Sequence, residues 1–192
     1  MKNRRATTIL VSLLLIAGVF LSGCGSNYLK ANVVKRGISF SFEYPPTYIK
    51  LTPDAFEDNG RDPSVSLLYS KPGSTALKAD IQIYVIPNAP IAGRPDAVGW
   101  TEEHLKILEQ NDANFTLFER STIEVAGING ETIYYFSTIL GNYLNSPNLM
   151  CRDAYIDYQG YIWKISVLAI DEMDAQAELD FEHLIESFEF AD

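Results

Sequence analysis

Residues 155–169 read YIDYQGYIWKISVLA, and their pattern sets the fold. Gln159-Gly160 is a two-residue turn signal between two runs rich in β-branched and aromatic residues, which predicts a tight hairpin with strands over Met150–Tyr158 and Tyr161–Ile170. On the second strand the period of two places Tyr161, Trp163, Ile165, Val167 and Ala169 on one face. A face that apolar must be buried against another layer.

Upstream, ISFSFEY (Ile38–Tyr44) alternates in the same way, with Ile38, Phe40, Phe42 and Tyr44 on one side, and Pro45-Pro46 stops it. Further strands are predicted over Val65–Tyr69, Ile81–Ile86, Phe115–Phe118, Thr122–Val125 and Ile133–Leu140. Asn129-Gly130, a frequent hairpin dipeptide, is expected to turn the chain before the last of these. Between the strands lies a helix capped by Asp96 or Thr101, with Trp100, His104, Ile107 and Leu108 on one side and NDAN (Asn111–Asn114) at its end. A second helix closes the chain, because Met173, Ala177, Phe181, Leu184 and Phe188 recur at helical spacing behind Asp171, Glu172 and Asp174. Hairpins dominate and β-α-β alternation is absent. The expected class is α+β: an antiparallel sheet of about six to seven strands flanked by helices, an α/β/α sandwich, in a single domain over residues 37–192.

The N-terminus has a different character. Lys2, Arg4 and Arg5 precede an apolar run from Ile9 to Phe20 that is shorter than the roughly 20 residues a spanning helix needs. Small residues follow, and the stretch ends Leu21-Ser22-Gly23-Cys24. That ending resembles the bacterial lipobox. The resemblance implies a signal peptide over residues 1–23, removed in front of Cys24, and two or three acyl chains on that cysteine. Two chains hold a protein stably on a bilayer, since each buried methylene contributes about 0.8 kcal/mol. Residues 24–36 are then the lipidated terminus and a short linker, and the location implied is the extracytoplasmic face of a cell membrane. Gly25, rather than an aspartate, follows the cysteine, which leaves open whether the host has one membrane or two.

Charge narrows the partners. The chain carries 15 Lys and Arg against 25 Asp and Glu, a net −10. Removing residues 1–23 takes away three cations and no acid, leaving −13. A field of that sign repels phosphate backbones, so nucleic acid is not an expected partner, and it disfavours docking onto anionic headgroups by charge alone.

Four stretches resemble bacterial lipoproteins of the PsbP-like superfamily: RGISFSFEYPPTYIKL (Arg36–Leu51), VAGINGETIYYF (Val125–Phe136), the 155–169 hairpin, and FEHLIESFEF (Phe181–Phe190). That fold is shared with the photosystem II PsbP subunit and the Ran-binding nuclear import factor. The resemblance implies an antiparallel sheet between helices and a binding or assembly role. It supplies no catalytic residues.

Candidate chemistry in the residues themselves is sparse. His104 and His183 are the only histidines, with Asp180 and Glu186 three residues either side of the latter. Cys151 is left without a disulfide partner once Cys24 is acylated, and reads as a small core residue. No zinc spacing, serine elbow or phosphate loop is present, so neither metal, cofactor nor enzymatic activity is expected. The acidic loop PDAFEDNGRDP, with Asp54, Glu57, Asp58 and Asp62 around Gly60, supports the alternative of a small-ligand or cation-binding surface lipoprotein. Asn114-Phe115-Thr116 fits the glycosylation sequon, which a bacterial host leaves unused. Two loops are candidates for recognition of an envelope protein: PNAPIAGRP (Pro87–Pro95), with Arg94, and GNYLNSPN (Gly141–Asn148), with Tyr143 and Leu144.

Overall fold

The computed structural model describes residues 28–50, 67–70, 79–87, 96–138, 148–170, 172–173 and 175–191. Its centre is the 155–169 hairpin. Strands β8 (Leu149–Tyr158) and β9 (Tyr161–Ile170) pair antiparallel from Tyr158↔Tyr161 to Leu149↔Ile170. Gln159 and Gly160 turn the chain with φ of 51° and 76°, the doubly left-handed turn whose twist matches a right-twisted ribbon.

Eight other strands complete two sheets: β1 (Leu29–Lys35), β2 (Ile38–Tyr44), β3 (Ile49–Lys50), β4 (Leu67–Ser70), β5 (Ala79–Pro87), β6 (Thr116–Val125), β7 (Ile128–Ser137) and β10 (Glu189–Phe190). Seven form an antiparallel sheet in the order β3-β4-β5-β9-β8-β7-β6, and three form a smaller one in the order β1-β2-β10. Helix α1 (Ala97–Asn111) covers one face of the large sheet. There Ala97, Leu105 and Leu108 pack on Ile133, Tyr135, Leu149, Cys151, Tyr155, Ile162 and Leu168. Helix α2 (Ala175–Glu186) and the small sheet close the other face, where Phe40, Phe42, Phe181, Leu184 and Phe188 meet Ile81, Ile83, Trp163, Ile165 and Val167. The class is α+β with helices on both faces, as expected. Among the described residues no helix is long and apolar enough to cross a membrane.

Several local expectations are corrected. The hairpin before β7 turns at Ala126-Gly127, with φ of 52° and 76°, and not at Asn129-Gly130. Gly130 sits inside β7 opposite Ile156, where close approach demands it: a Cβ there would stand 2.0 Å from the Tyr155 carbonyl oxygen and 2.6 Å from Ile156 Cγ2. Gly130→Ala is therefore expected to cost about 1–3 kcal/mol, the usual penalty of overpacking, read as a lowered urea midpoint.

Residues 29–35, read from sequence as linker, are β1. The strand pairs with β2 along its whole length and buries Ala31. The strands expected around Phe115–Phe118 and Thr122–Val125 are one strand, β6, with a register shift between Leu117 and Glu119. On α1, Asp96 is the cap and accepts from the Gly99 N–H at 2.7 Å, while Thr101 lies buried inside the helix. Ile107 points outward, and Leu105 takes the buried position. All five apolar positions of the second helical stripe are buried, although Met173 and Phe188 flank α2 rather than belong to it.

Candidate functional site

The turns of the β6–β7 and β8–β9 hairpins end side by side, because the β7–β8 register carries Ile128 next to Tyr158. After α2 the chain passes this end of the sheet, and β10 adds to β2 through Glu189↔Ser41 and Phe190↔Phe40. Between these elements runs an open groove of about 480 Å³, lined by Ala126, Ile128, Tyr158, Phe188, Glu189 and Phe190. Its floor is aromatic. Tyr158 and Phe190 stack with centroids 3.8 Å apart, and Trp163 meets Phe190 edge-on at 4.9 Å, as does Phe188 at 5.3 Å. Such offset and edge-to-face rings are rigid, since each locks the rotamer of the next. Trp163 donates its indole N–H to the Tyr158 carbonyl at 3.4 Å. At the rim, Glu189 is held below the usual carboxylate range by its hydrogen bond to Lys30, 3.1 Å away.

A second cluster lies under α1. Asp153 is fully buried on β8, and its Oδ2 accepts from the Tyr135 hydroxyl at 2.9 Å, the Tyr155 hydroxyl at 3.1 Å and the Lys164 ammonium at 2.9 Å. His104 of α1 faces the Tyr155 oxygen through Nδ1. Because Tyr155 spends its proton on Asp153, Nδ1 is the protonated nitrogen of a neutral imidazole. Burial, and then Lys164, push the His104 pKa down to about 4, against a smaller upward pull from Asp153. Burial acts to raise Asp153, but the Lys164 ammonium beside it holds it below the ordinary carboxylate value. The cluster is a buried ion pair tied to α1 through the contact of His104 with Tyr155, and among the described residues Asp153 Oδ1 has no hydrogen-bond partner. Cys151 beside it is a free, buried thiol whose pKa burial drives up, so it is inert.

Asp112, at the C-terminal end of α1, binds the β7 end in the same manner. It accepts from Ser137 Oγ at 2.8 Å, Thr138 N at 2.6 Å and Thr138 Oγ1 at 2.6 Å, and these bonds outweigh burial to bring it to about 2.

His183 finds neither Asp180 nor Glu186. Its Nε2 lies 2.8 Å from Glu43 Oε2 of β2, and its ring stacks on Tyr28 at 3.7 Å. Asp180 is buried and accepts from Gln176 Nε2 at 2.8 Å. Cys24, Arg94, Tyr143, Leu144 and the acidic loop with Asp54, Glu57, Asp58 and Asp62 lie outside the described residues. Among the described residues no group of three or more His, Cys, Asp or Glu side chains is placed to hold a metal ion. The groove was not anticipated from sequence, where Phe188 read only as core; the signal available was F-x-F at the C-terminus facing a Tyr-Gln-Gly-Tyr turn.

No protein-family profile matches the chain, and no curated protein matches it. Solved structures do. The cyanobacterial PsbP (CyanoP) of Synechocystis superposes with a TM-score of 0.55 at 14% identity, covering 89% of this chain and 99% of its own. The Ran-binding protein Mog1p of Saccharomyces cerevisiae superposes with a TM-score of 0.51 at 12% identity, covering 84% of this chain and 95% of its own. The chain therefore has a PsbP/Mog1-like fold.

Proposed function

We propose that this chain is a bacterial lipoprotein, held by acyl chains on Cys24 at the extracytoplasmic face of a membrane, whose PsbP/Mog1-like domain binds an envelope protein or assists assembly of an envelope complex without catalysing a reaction. The observation that carries the binding role is the open aromatic groove lined by Tyr158, Phe188 and Phe190. Preorganised rings at a partly exposed surface concentrate binding energy, because little side-chain entropy remains to be lost. The groove also runs along β10, a two-residue strand at the end of the small sheet, and such an edge accepts an extended segment by main-chain pairing. A fold relative that is itself a Ran-binding protein supports protein recognition by this architecture. The lipobox supports the anchor, and the net charge of −10 speaks against nucleic acid.

The experiment combines mass and fractionation. Wild type is expected to carry acyl mass and sediment with membranes, whereas Cys24→Ser leaves them. A protein co-isolated with wild type is expected to be lost from Phe190→Ala, which removes one ring of the stack but stays anchored. Full release of wild type, or equal recovery of the partner with Phe190→Ala, contradicts the proposal.

A further inference from the structure

Tyr28 is the first described residue, and it is fixed. Its ring stacks on His183 of α2 at 3.7 Å with an interplanar angle of 22°, and burial together with Asp180 raises its pKa. His183 is held in turn by Glu43 of β2. Leu29 then starts β1 directly. Four residue steps separate Cys24 from this seated ring, and a chain spans at most roughly 3.6 Å per residue, so the distance is at most about 14 Å. The headgroup layer on one side of a bilayer is itself about 6 Å deep. An acylated Cys24 thus leaves no leash on which the domain can turn freely.

We infer that the face around Tyr28 and His183 rests against the bilayer that holds the acyl chains, with Leu29 and Leu179 in its headgroup layer. This rests on the lipid-anchor reading above. Two exposed leucines neighbour the seated pair along the chain: Leu29 follows Tyr28 and is 46% exposed, and Leu179 precedes His183 by one helical turn and is 54% exposed. A lipid interface would take both side chains out of water, which stabilises that orientation. Glu182 and Glu186 are exposed on the same helix, so anionic headgroups oppose the contact. The seating is made by the short tether and apolar burial, not by charge. Ile107 lies on α1, across the large sheet, and faces away from this surface.

The test uses the acylated full chain in phosphatidylcholine vesicles that carry a headgroup-level quencher. A fluorophore is attached at Leu179→Cys or Ile107→Cys; both positions are exposed, and the buried Cys151 stays unlabelled. Quenching at 179 is expected to exceed that at 107 severalfold, to weaken when phosphatidylglycerol is added at low salt, and to fall to the level at 107 when eight Gly and Ser residues are inserted after Asn27. Equal quenching at the two positions, with the acyl mass verified on Cys24, overturns the membrane-facing orientation alone. Absence of acyl mass overturns the lipid anchor and the orientation together.

Discussion

Replacing Asp153 by Ala is expected to destabilise the domain by about 3–5 kcal/mol, the cost of breaking one side of a buried ion pair. The loss has three parts. Lys164, only 16% exposed, is left without its carboxylate, and the hydroxyls of Tyr135 and Tyr155 lose the oxygen to which both donate. The double variant Asp153→Leu with Lys164→Met removes both charges, and it is expected to recover a large part of the loss. Urea unfolding measures this as a shift of midpoint at constant slope. A loss below about 1 kcal/mol for Asp153→Ala would mean that the cluster is hydrated and does not pin α1.

Acid should act on the same place through His104. Its folded pKa of about 4 lies below the unfolded value of 6.5, so the unfolded chain takes up the proton first. Stability is full above pH 6.5 and is lost as the pH falls from there toward 4, at up to about 1.4 kcal/mol per pH unit and about 3 kcal/mol in all. Among the described residues, the groups facing the imidazole set the balance: Lys164 of β9 repels the added proton, Asp153 of β8 favours it, and the hydroxyls of Tyr135 and Tyr155 stay protonated. Asp112 titrates lower, with its contribution lost between pH 3.8 and about 2, which separates the two effects. His104→Gln keeps a side chain able to donate to Tyr155 but does not titrate, so its stability is expected to stay flat between pH 6.5 and 4.5. Parallel slopes for wild type and His104→Gln would place the acid sensitivity elsewhere.

The parts of the fold legible in sequence are those in which burial and periodicity coincide. Trp163, Ile165, Val167 and Ala169 alternate because one face of β9 is covered by the small sheet and α2, and the Met173–Phe188 stripe follows from the same core. Where one of the two signals is missing, the reading fails. β1 is a sheet edge with a single buried residue, Ala31, so its sequence resembles a linker. β10 has two residues and exists only through its pairing with β2, some 150 positions earlier. Asn129-Gly130 is a sound local turn signal, but the closeness of Tyr155 to Gly130 and the burial of Val125 set the turn three residues earlier. Asp153 and Lys164 look solvent-facing in a strand pattern, whereas α1 covers that face and encloses them. The groove depends on three chain segments meeting, which no local pattern encodes.

The most direct measurement of a partner at this groove is site-specific photocrosslinking in native membranes, with the reactive residue at Ala126 on the groove wall and, separately, at Ile107 on the far side of α1. Both positions are exposed, so neither disturbs the core. One discrete adduct from Ala126, absent from Ile107 and abolished by Phe190→Ala in a protein that still unfolds cooperatively well above the assay temperature, is the expected result. The same adducts from both positions, or an Ala126 adduct indifferent to Phe190→Ala, would contradict it.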